Sequence, residues 1–188
     1  MASSTRCCCL PARLNMRFAQ IDRILSLTPG DSVRAVKGLA LSEEYLQDHF
    51  PRFPVMPGVL MLEAIFQAGA CLVRATDEFR HSMVALVEAR NLKFQGFVQP
   101  GDQLVVTAKW HSEQGGQIKL KVEGTIDDRT AVSGWILVEK YNLADRGAAS
   151  AATDQYLIRE SKRKYRLLFN PLVSSEQATA NSATVPAN

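Results

Sequence analysis

Two titratable residues stand apart from the rest of this chain by where they occur. His49 lies in the proline-rich stretch Asp48 to Pro57 (DHFPRFPVMP), and Glu63 lies in the apolar run Val59 to Val73 (VLMLEAIFQAGACLV) that follows it. Pro51, Pro54 and Pro57 fix their own φ and bias the residues before them towards extended backbone, so the loop is stiff. A stiff loop ahead of a buried helix would hold an imidazole in one place, as general acid/base catalysis requires. The same residues also fit a ring that merely caps or packs the loop, and both readings stand.

Glu63 is a carboxyl among apolar neighbours, and a buried unpaired carboxylate is costly. Gln67, one helical turn later on the same face, can donate an amide hydrogen bond to it. Glu63 is then either a structural acid satisfied by Gln67, a backbone group or a subunit contact, or a carboxyl kept protonated part of the time for use as a general acid. Gly58 opens the run. The first N–H groups of a helix lack intrahelical acceptors and can bind an oxyanion, and glycine lets a carbonyl approach them closely; an ordinary helix-start glycine would look the same.

The elements that must position these groups are legible from periodicity and turn chemistry. Val59 to Val73 is apolar on nearly every face, so it predicts a helix surrounded by protein; about 15 residues interrupted by Glu63 and Gln67 fall short of the roughly 20 of a bilayer span. Strands are expected over Met83 to Phe94, Gln103 to Ser112, Gln117 to Ile126 and Thr130 to Glu139, separated by Pro100-Gly101-Asp102, Gly115-Gly116 and Asp127-Asp128-Arg129. Ser32 to Ala40 is a weaker strand candidate, and Arg17 to Leu27 reads as a short amphipathic helix. The economical packing is α+β, a long buried helix wrapped by an antiparallel sheet.

The chain has 188 residues, of which 46% are hydrophobic and 22% charged, as in an ordinary globular domain with tails. Its net charge of +3 belongs to those tails: residues 16–143 hold 14 basic against 15 acidic groups, which leaves the core no footprint for nucleic acid. The adjacent Cys7, Cys8 and Cys9 lack zinc-ligand spacing, and Cys71 is the one cysteine of the core, so nothing requires an oxidising compartment and a cytoplasmic location is expected. Only His49, His81 and His111 could supply imidazole, without ligand-like spacing, and no metal is expected. Residues 1–15 read as a poorly ordered extension with Met16 as a candidate start. Residues 144–152 read as a linker, 154–169 as a basic helix and 171–188 as a disordered end. The basic helix is either a solvated extension or a docking element for an acidic partner or membrane surface.

The segment HFPRFPVMPGVLMLEAIFQ resembles the signature of the hotdog-fold (3R)-3-hydroxyacyl-[acyl-carrier-protein] dehydratases of type II fatty acid synthesis. Lys93-Phe94 with Val98-Gln99-Pro100-Gly101-Asp102-Gln103-Leu104 resembles their second block, and the similarity runs from about Met16 to Tyr141. The resemblance implies a hotdog fold, with His49 as catalytic base and Glu63 as catalytic acid. It also implies the N–H of Gly58 as oxyanion donor, the carbonyl of Val55 as the group orienting the imidazole, and Gln67 as the amide positioning the acid. It implies a homodimer in which His49 of one subunit works with Glu63 of the other, often three such dimers together. The substrate would arrive on the phosphopantetheine arm of an acyl carrier protein, docked through basic groups such as Arg52, Arg90 and Lys93, with no cofactor.

The sequence departs from the family pattern at Asp48, Arg52, Phe53 and Phe66. Ala85 and Leu86 stand where the family often has an aromatic pair that gates the tunnel. A hotdog acyl thioesterase and a non-catalytic acyl-binding subunit are the alternatives that share the fold.

Overall fold

The sheet forms because apolar, β-branched stretches bounded by turn residues pair side by side, with clear period-two burial in the fourth and fifth of them. In the computed structural model, which describes residues 19–50 and 52–169, the strands are β1 (Arg23–Thr28), β2 (Ser32–Gly38), β3 (Met83–Phe94), β4 (Gln103–Gln114), β5 (Gln117–Ile126) and β6 (Arg129–Tyr141). They make one antiparallel sheet in the order β1-β2-β4-β5-β6-β3. β5 shows the causal pattern most plainly. Ile118, Leu120 and Val122 are buried, while the alternating Lys119, Lys121 and Glu123 lie on the other face.

The helices are α1 (Tyr45–Asp48), a single turn, α2 (Gly58–Thr76) and α3 (Ala151–Leu168). α2 leaves the inner strand β2 and delivers the chain to β3 at the far edge, so it must cross the whole sheet. Ala64, Ile65, Ala68 and Leu72 are fully buried against the inward side chains of the strands. Gly69 marks a close approach: a Cβ there would stand 2.8 Å from Leu120 Cδ1, so any larger residue would force the Leu120 side chain to move. By length and composition α2 could cross a membrane, yet half of its apolar window is buried within this protein. It ends at Thr76, where Glu78 and Phe79 adopt left-handed φ of 52° and 60° and the N–H of Phe79 donates to the Arg74 carbonyl at 2.8 Å.

The segment expected as an amphipathic helix is a strand instead. Residues 23–28 pair with β2 from Arg23 opposite Val36 to Thr28 opposite Ser32, and residues 17 and 18 lie outside those described. The reason is the turn that follows. Pro29-Gly30-Asp31 takes a left-handed φ of 74° at Gly30, the N–H of Asp31 donates to the Thr28 carbonyl, and the closed hairpin adds an edge strand whose ladder outweighs a weak helical spacing.

Within the stretch read as a linker, Ala144–Arg146 forms one 3-10 turn, and α3 begins at Ala151. Ser150 caps α3 by accepting from the Thr153 N–H at 3.3 Å, and the buried Asp154 accepts from the N–H groups of Leu143 and Ala144, both at 3.0 Å. At the other end Leu168 joins the main core, and the Tyr165 ring meets Phe79 edge-on at 5.4 Å. The extensions expected at 1–15 and 171–188 lie outside the described residues.

Candidate functional site

His49 is placed by a short relay that begins on β2. Lys37 is 5% exposed and would be costly to bury alone, but its Nζ donates to Glu43 Oε1 at 2.6 Å, with Asp22 3.8 Å away. This pair ties the start of α1 to the sheet, and Leu46 buries the turn. The N–H of His49 then donates to the Tyr45 carbonyl at 3.1 Å, which ends α1 with the half-buried imidazole just beyond it. Phe50 follows at φ 51°, a left-handed conformation unusual for an aromatic residue, its ring edge-on to His49 at 4.6 Å. The N–H of Phe53 closes a turn onto the Phe50 carbonyl at 2.8 Å.

The chain then runs extended into α2, fixed by the second sequence block. Gln99 to Asp102 is a β-turn with Pro100 and Gly101 at its centre. Gly101 has φ 99°, the Asp102 N–H donates to the Gln99 carbonyl, and the Asp102 carboxylate accepts from the Gln99 N–H at 2.7 Å. Beside that turn the buried Val98 offers its carbonyl to the N–H of Met56 at 2.9 Å, which holds Val55 and Met56 in the core directly ahead of the helix.

Pro57 caps α2, and its carbonyl takes the first intrahelical bonds, from Leu60 and Met61. The N–H groups of Gly58 and Val59 lie ahead of those bonds, at the positive end of the helix dipole. The Phe94 ring closes over Gly58: a Cβ on Gly58 would come within 3.1 Å of its Cε1. Glu63 is half-buried about one and a half turns later. Gln67 Nε2 donates to Glu63 Oε1 at 2.8 Å, and Gln67 Oε1 accepts from the Gln20 N–H at 3.0 Å. The Gln20 N–H can only donate, so it fixes Gln67 Oε1 towards itself and leaves Nε2 facing Glu63.

The face of α2 that carries Glu63 and Gln67 continues through Cys71 and Arg74. Lys164 of α3 is within electrostatic reach of Glu63, Cys71 and Arg74; burial foremost, helped by Arg74, holds its ammonium below the ordinary lysine range. Burial likewise pushes the Cys71 thiol up.

The expected site residues thus fall into two groups. Gly58, Glu63 and Gln67 share one helix, with Val55 buried just before it. His49 sits on the preceding turn, and among the described residues no hydrogen bond joins its ring to Glu63 or to the Val55 carbonyl within one chain. Arg52 and Lys93 are exposed, and Arg90 is engaged with Glu88 at 2.6 Å. Three contributors escaped the sequence reading: Lys37 with Glu43, Gln20, and Phe94 as the cover of Gly58. Phe94 stands in the second block, but nothing local says that its ring crosses to the start of α2.

The family described as the FabA-like domain matches residues 10–134. The chain belongs to this family. A relative from Lactococcus lactis subsp. cremoris, "3-hydroxyacyl-[acyl-carrier-protein] dehydratase FabZ", is 37% identical over 117 residues, 62% of this chain and 81% of the relative. The protein of the same description from Polynucleobacter asymbioticus is 36% identical over 61% of this chain and 76% of its own length. Among solved structures, "The Dehydratase Heterocomplex ApeI:P from Xenorhabdus doucetiae" superposes with a TM-score of 0.61 at 14% identity, covering 70% of this chain and 88% of that one. Protein PH1136 from Pyrococcus horikoshii superposes with a TM-score of 0.53 at 16% identity, over 68% and 88%. At such identities these likenesses speak to the fold alone, which is the hotdog fold. The FabA-like match ends at residue 134, within β6, so α3 lies beyond the matched residues.

Proposed function

We propose that this chain dehydrates (3R)-3-hydroxyacyl-[acyl-carrier-protein] to the trans-2-enoyl thioester in fatty acid biosynthesis, with His49 as general base and Glu63 as general acid. The observation that carries the reading is the Glu63–Gln67 pair on an otherwise apolar helix, one and a half turns from the free N–H of Gly58. An acyl chain lying along that helix would put its thioester oxygen against the Gly58 N–H, and polarising the carbonyl acidifies C2. His49 takes the C2 proton, the electron pair of that bond forms the C2–C3 double bond, and the C3–O bond breaks. Glu63 gives its proton to the departing hydroxyl, which leaves as water. His49 then gives up that proton to solvent and Glu63 regains one from it, which restores both groups, so no cofactor enters. Gln67 acts as the positioning residue for Glu63, and the buried Val55 carbonyl would orient the imidazole within the assembled site.

The working unit is a homodimer in which His49 of one subunit meets Glu63 of the other. This is supported by the lack of a His49–Glu63 bond within one chain and by what surrounds them. Phe50, Phe53, Val59, Phe94 and Phe97 are large apolar side chains 49 to 73% exposed, and Phe53 and Phe97 meet edge-on at 5.7 Å. Phe94 ends β3, an edge strand of 12 residues with an open hydrogen-bonding side. A single chain gains nothing by exposing such a cluster beside a bare edge, whereas a second copy covers both.

The test is hydration of a trans-2-enoyl acyl carrier protein, followed by loss of enoyl absorbance, with His49→Ala and Glu63→Gln beside the native chain. Turnover by the native protein and its loss in both folded variants is the expected result. Absence of turnover across short, medium and long acyl chains refutes the reading, and release of free acid would instead mark a thioesterase.

A further inference from the structure

α3 lies past the FabA-like match, yet it is built as carefully as the core. Ser150 and Asp154 secure its first turn, and Leu168 with Tyr165 anchors its last. Fixing those residues forfeits conformational entropy, which a mere tail would retain. The side turned outward presents Arg159, Lys162, Arg163 and Arg166, all exposed and spaced three and four apart, so they form one ridge. Glu160 reaches Arg163 at 3.7 Å, while Arg159, Lys162 and Arg166 make no ion pair with a described residue. Like charges three and four apart work against a free helix, so the ridge is a surface that a partner of opposite charge would stabilise.

We propose that the outward ridge of α3 is a docking surface for the acidic carrier protein that delivers the acyl group. The inference rests on the dehydratase reading for the identity of the carrier, and on the ridge for where it sits. Two features favour a protein over a bilayer. A helix that lies in a membrane surface turns a broad apolar face to the lipid, whereas α3 spends Tyr165 and Leu168 on this protein's own body. Leu167 and Tyr156 are its only exposed large apolar side chains, at 76% and 39%. Position also favours the carrier. The inner side of the same helix, through Lys164, lies within electrostatic reach of Glu63, so a carrier held on the ridge keeps its thioester near the helix that bears the acid. Transient delivery calls for fast association and release, which charge complementarity supplies better than apolar burial.

The experiment uses the full chain and a fluorophore-labelled holo-acyl carrier protein, read by anisotropy at low and physiological salt. The variant Arg159→Glu/Arg163→Glu/Arg166→Glu should raise Kd by about tenfold or more and flatten its salt dependence. Lysine at the same three positions should keep Kd within about twofold. So should Lys109→Glu/Lys121→Glu, which reverses two facing charges on the sheet. In the charge-reversed α3 variant, kcat/KM should fall on the carrier-bound enoyl thioester and hold on the enoyl N-acetylcysteamine thioester.

An unchanged Kd in the α3 variant overturns the proposal, as does an equal loss in the sheet variant, which would reduce the effect to net charge. Loss of binding to phosphatidylglycerol vesicles with carrier affinity intact would assign the ridge to a membrane instead. Failure of the native chain to turn over either thioester would refute the dehydratase reading, while the anisotropy would still decide the docking.

Discussion

Gln67→Leu is the perturbation that best separates positioning from packing in this site. Gln67 donates to Glu63 at 2.8 Å and accepts from the N–H of Gln20 at 3.0 Å, and Gln20 is only 3% exposed. Leucine keeps the bulk and removes these two bonds. The buried Gln20 N–H is left without its acceptor, at a cost of about 1–3 kcal/mol. The bond to Glu63 adds about 1 kcal/mol, discounted because the carboxylate is partly solvated. Leucine returns little by apolar burial at a half-buried position, so a net loss of about 2–3 kcal/mol is expected, or roughly 5–10 °C in Tm for a chain of this size.

The kinetic consequence is distinct. A Glu63 freed to rotate forfeits about 1.4 kcal/mol of transition-state stabilisation, about tenfold in kcat, with little change in KM because the acyl chain still binds the same helix. The assays are thermal unfolding by circular dichroism and steady-state hydration of an enoyl thioester. Gln67→Glu supplies the contrast. It keeps an acceptor for Gln20 but sets a second carboxylate beside Glu63, and two such groups cannot both ionise cheaply. Its Tm should therefore rise on acidification to about pH 5, where that of Gln67→Leu should not. A Gln67→Leu protein with native Tm and native kcat would refute the positioning role, and a loss confined to KM would move it to substrate binding.

Glu43→Ala leaves Lys37 buried with only Asp22 at 3.8 Å and should cost about 2 kcal/mol, most of it recovered in the Lys37→Met/Glu43→Ala double variant, as a thermal double-mutant cycle would register. Asp77 is opposed by burial, but hydrogen bonds from His81 and Lys140, with their charges, outweigh it and hold the carboxyl below the ordinary aspartate range. Its contribution is therefore complete above the unfolded value near pH 4 and lost as pH falls through the folded one, so Asp77→Asn should lower Tm at pH 7 and flatten the acid limb of a Tm-versus-pH series. Gly58→Ala sets a methyl 3.1 Å from a half-exposed Phe94 ring that can swing aside, so stability should fall by less than about 1 kcal/mol while kcat/KM falls about tenfold. Adding Phe94→Ala should leave that kinetic loss in place if the methyl blocks the thioester, and should relieve it if crowding of the ring is the whole effect.

The parts of this fold that were legible in the sequence are those fixed by nearest neighbours. The alternation of Ile118 to Glu123 needs only the pleat, and the apolar run after Pro57-Gly58 needs only helical periodicity. The Glu63–Gln67 bond needs only i,i+4 spacing. Residues 23–28 fail that test. Their spacing suits a short helix about as well as a strand, and the ladder to β2 decides. Lys37 is equally opaque, because a lysine in a strand reads as a wet-face residue until the fold carries Glu43 across to it.

The same division runs through the site. Chemistry-bearing groups come from a loop and a helix start whose composition announces them, whereas the groups that aim them arrive from far along the chain. Gln20 is 47 residues before the amide it holds, and Phe94 crosses from the end of β3 to cover Gly58. A sequence can therefore advertise a reaction while leaving its precision unstated, because placement to a few tenths of an ångström depends on contacts that no local pattern encodes. Substrate preference should accordingly respond less to the proline-rich loop than to Phe94 and its neighbours. Phe94→Ala is expected to change the ratio of kcat/KM between short and long enoyl thioesters while leaving Glu63 and Gln67 joined, and an unchanged ratio would remove Phe94 from the path of the acyl chain.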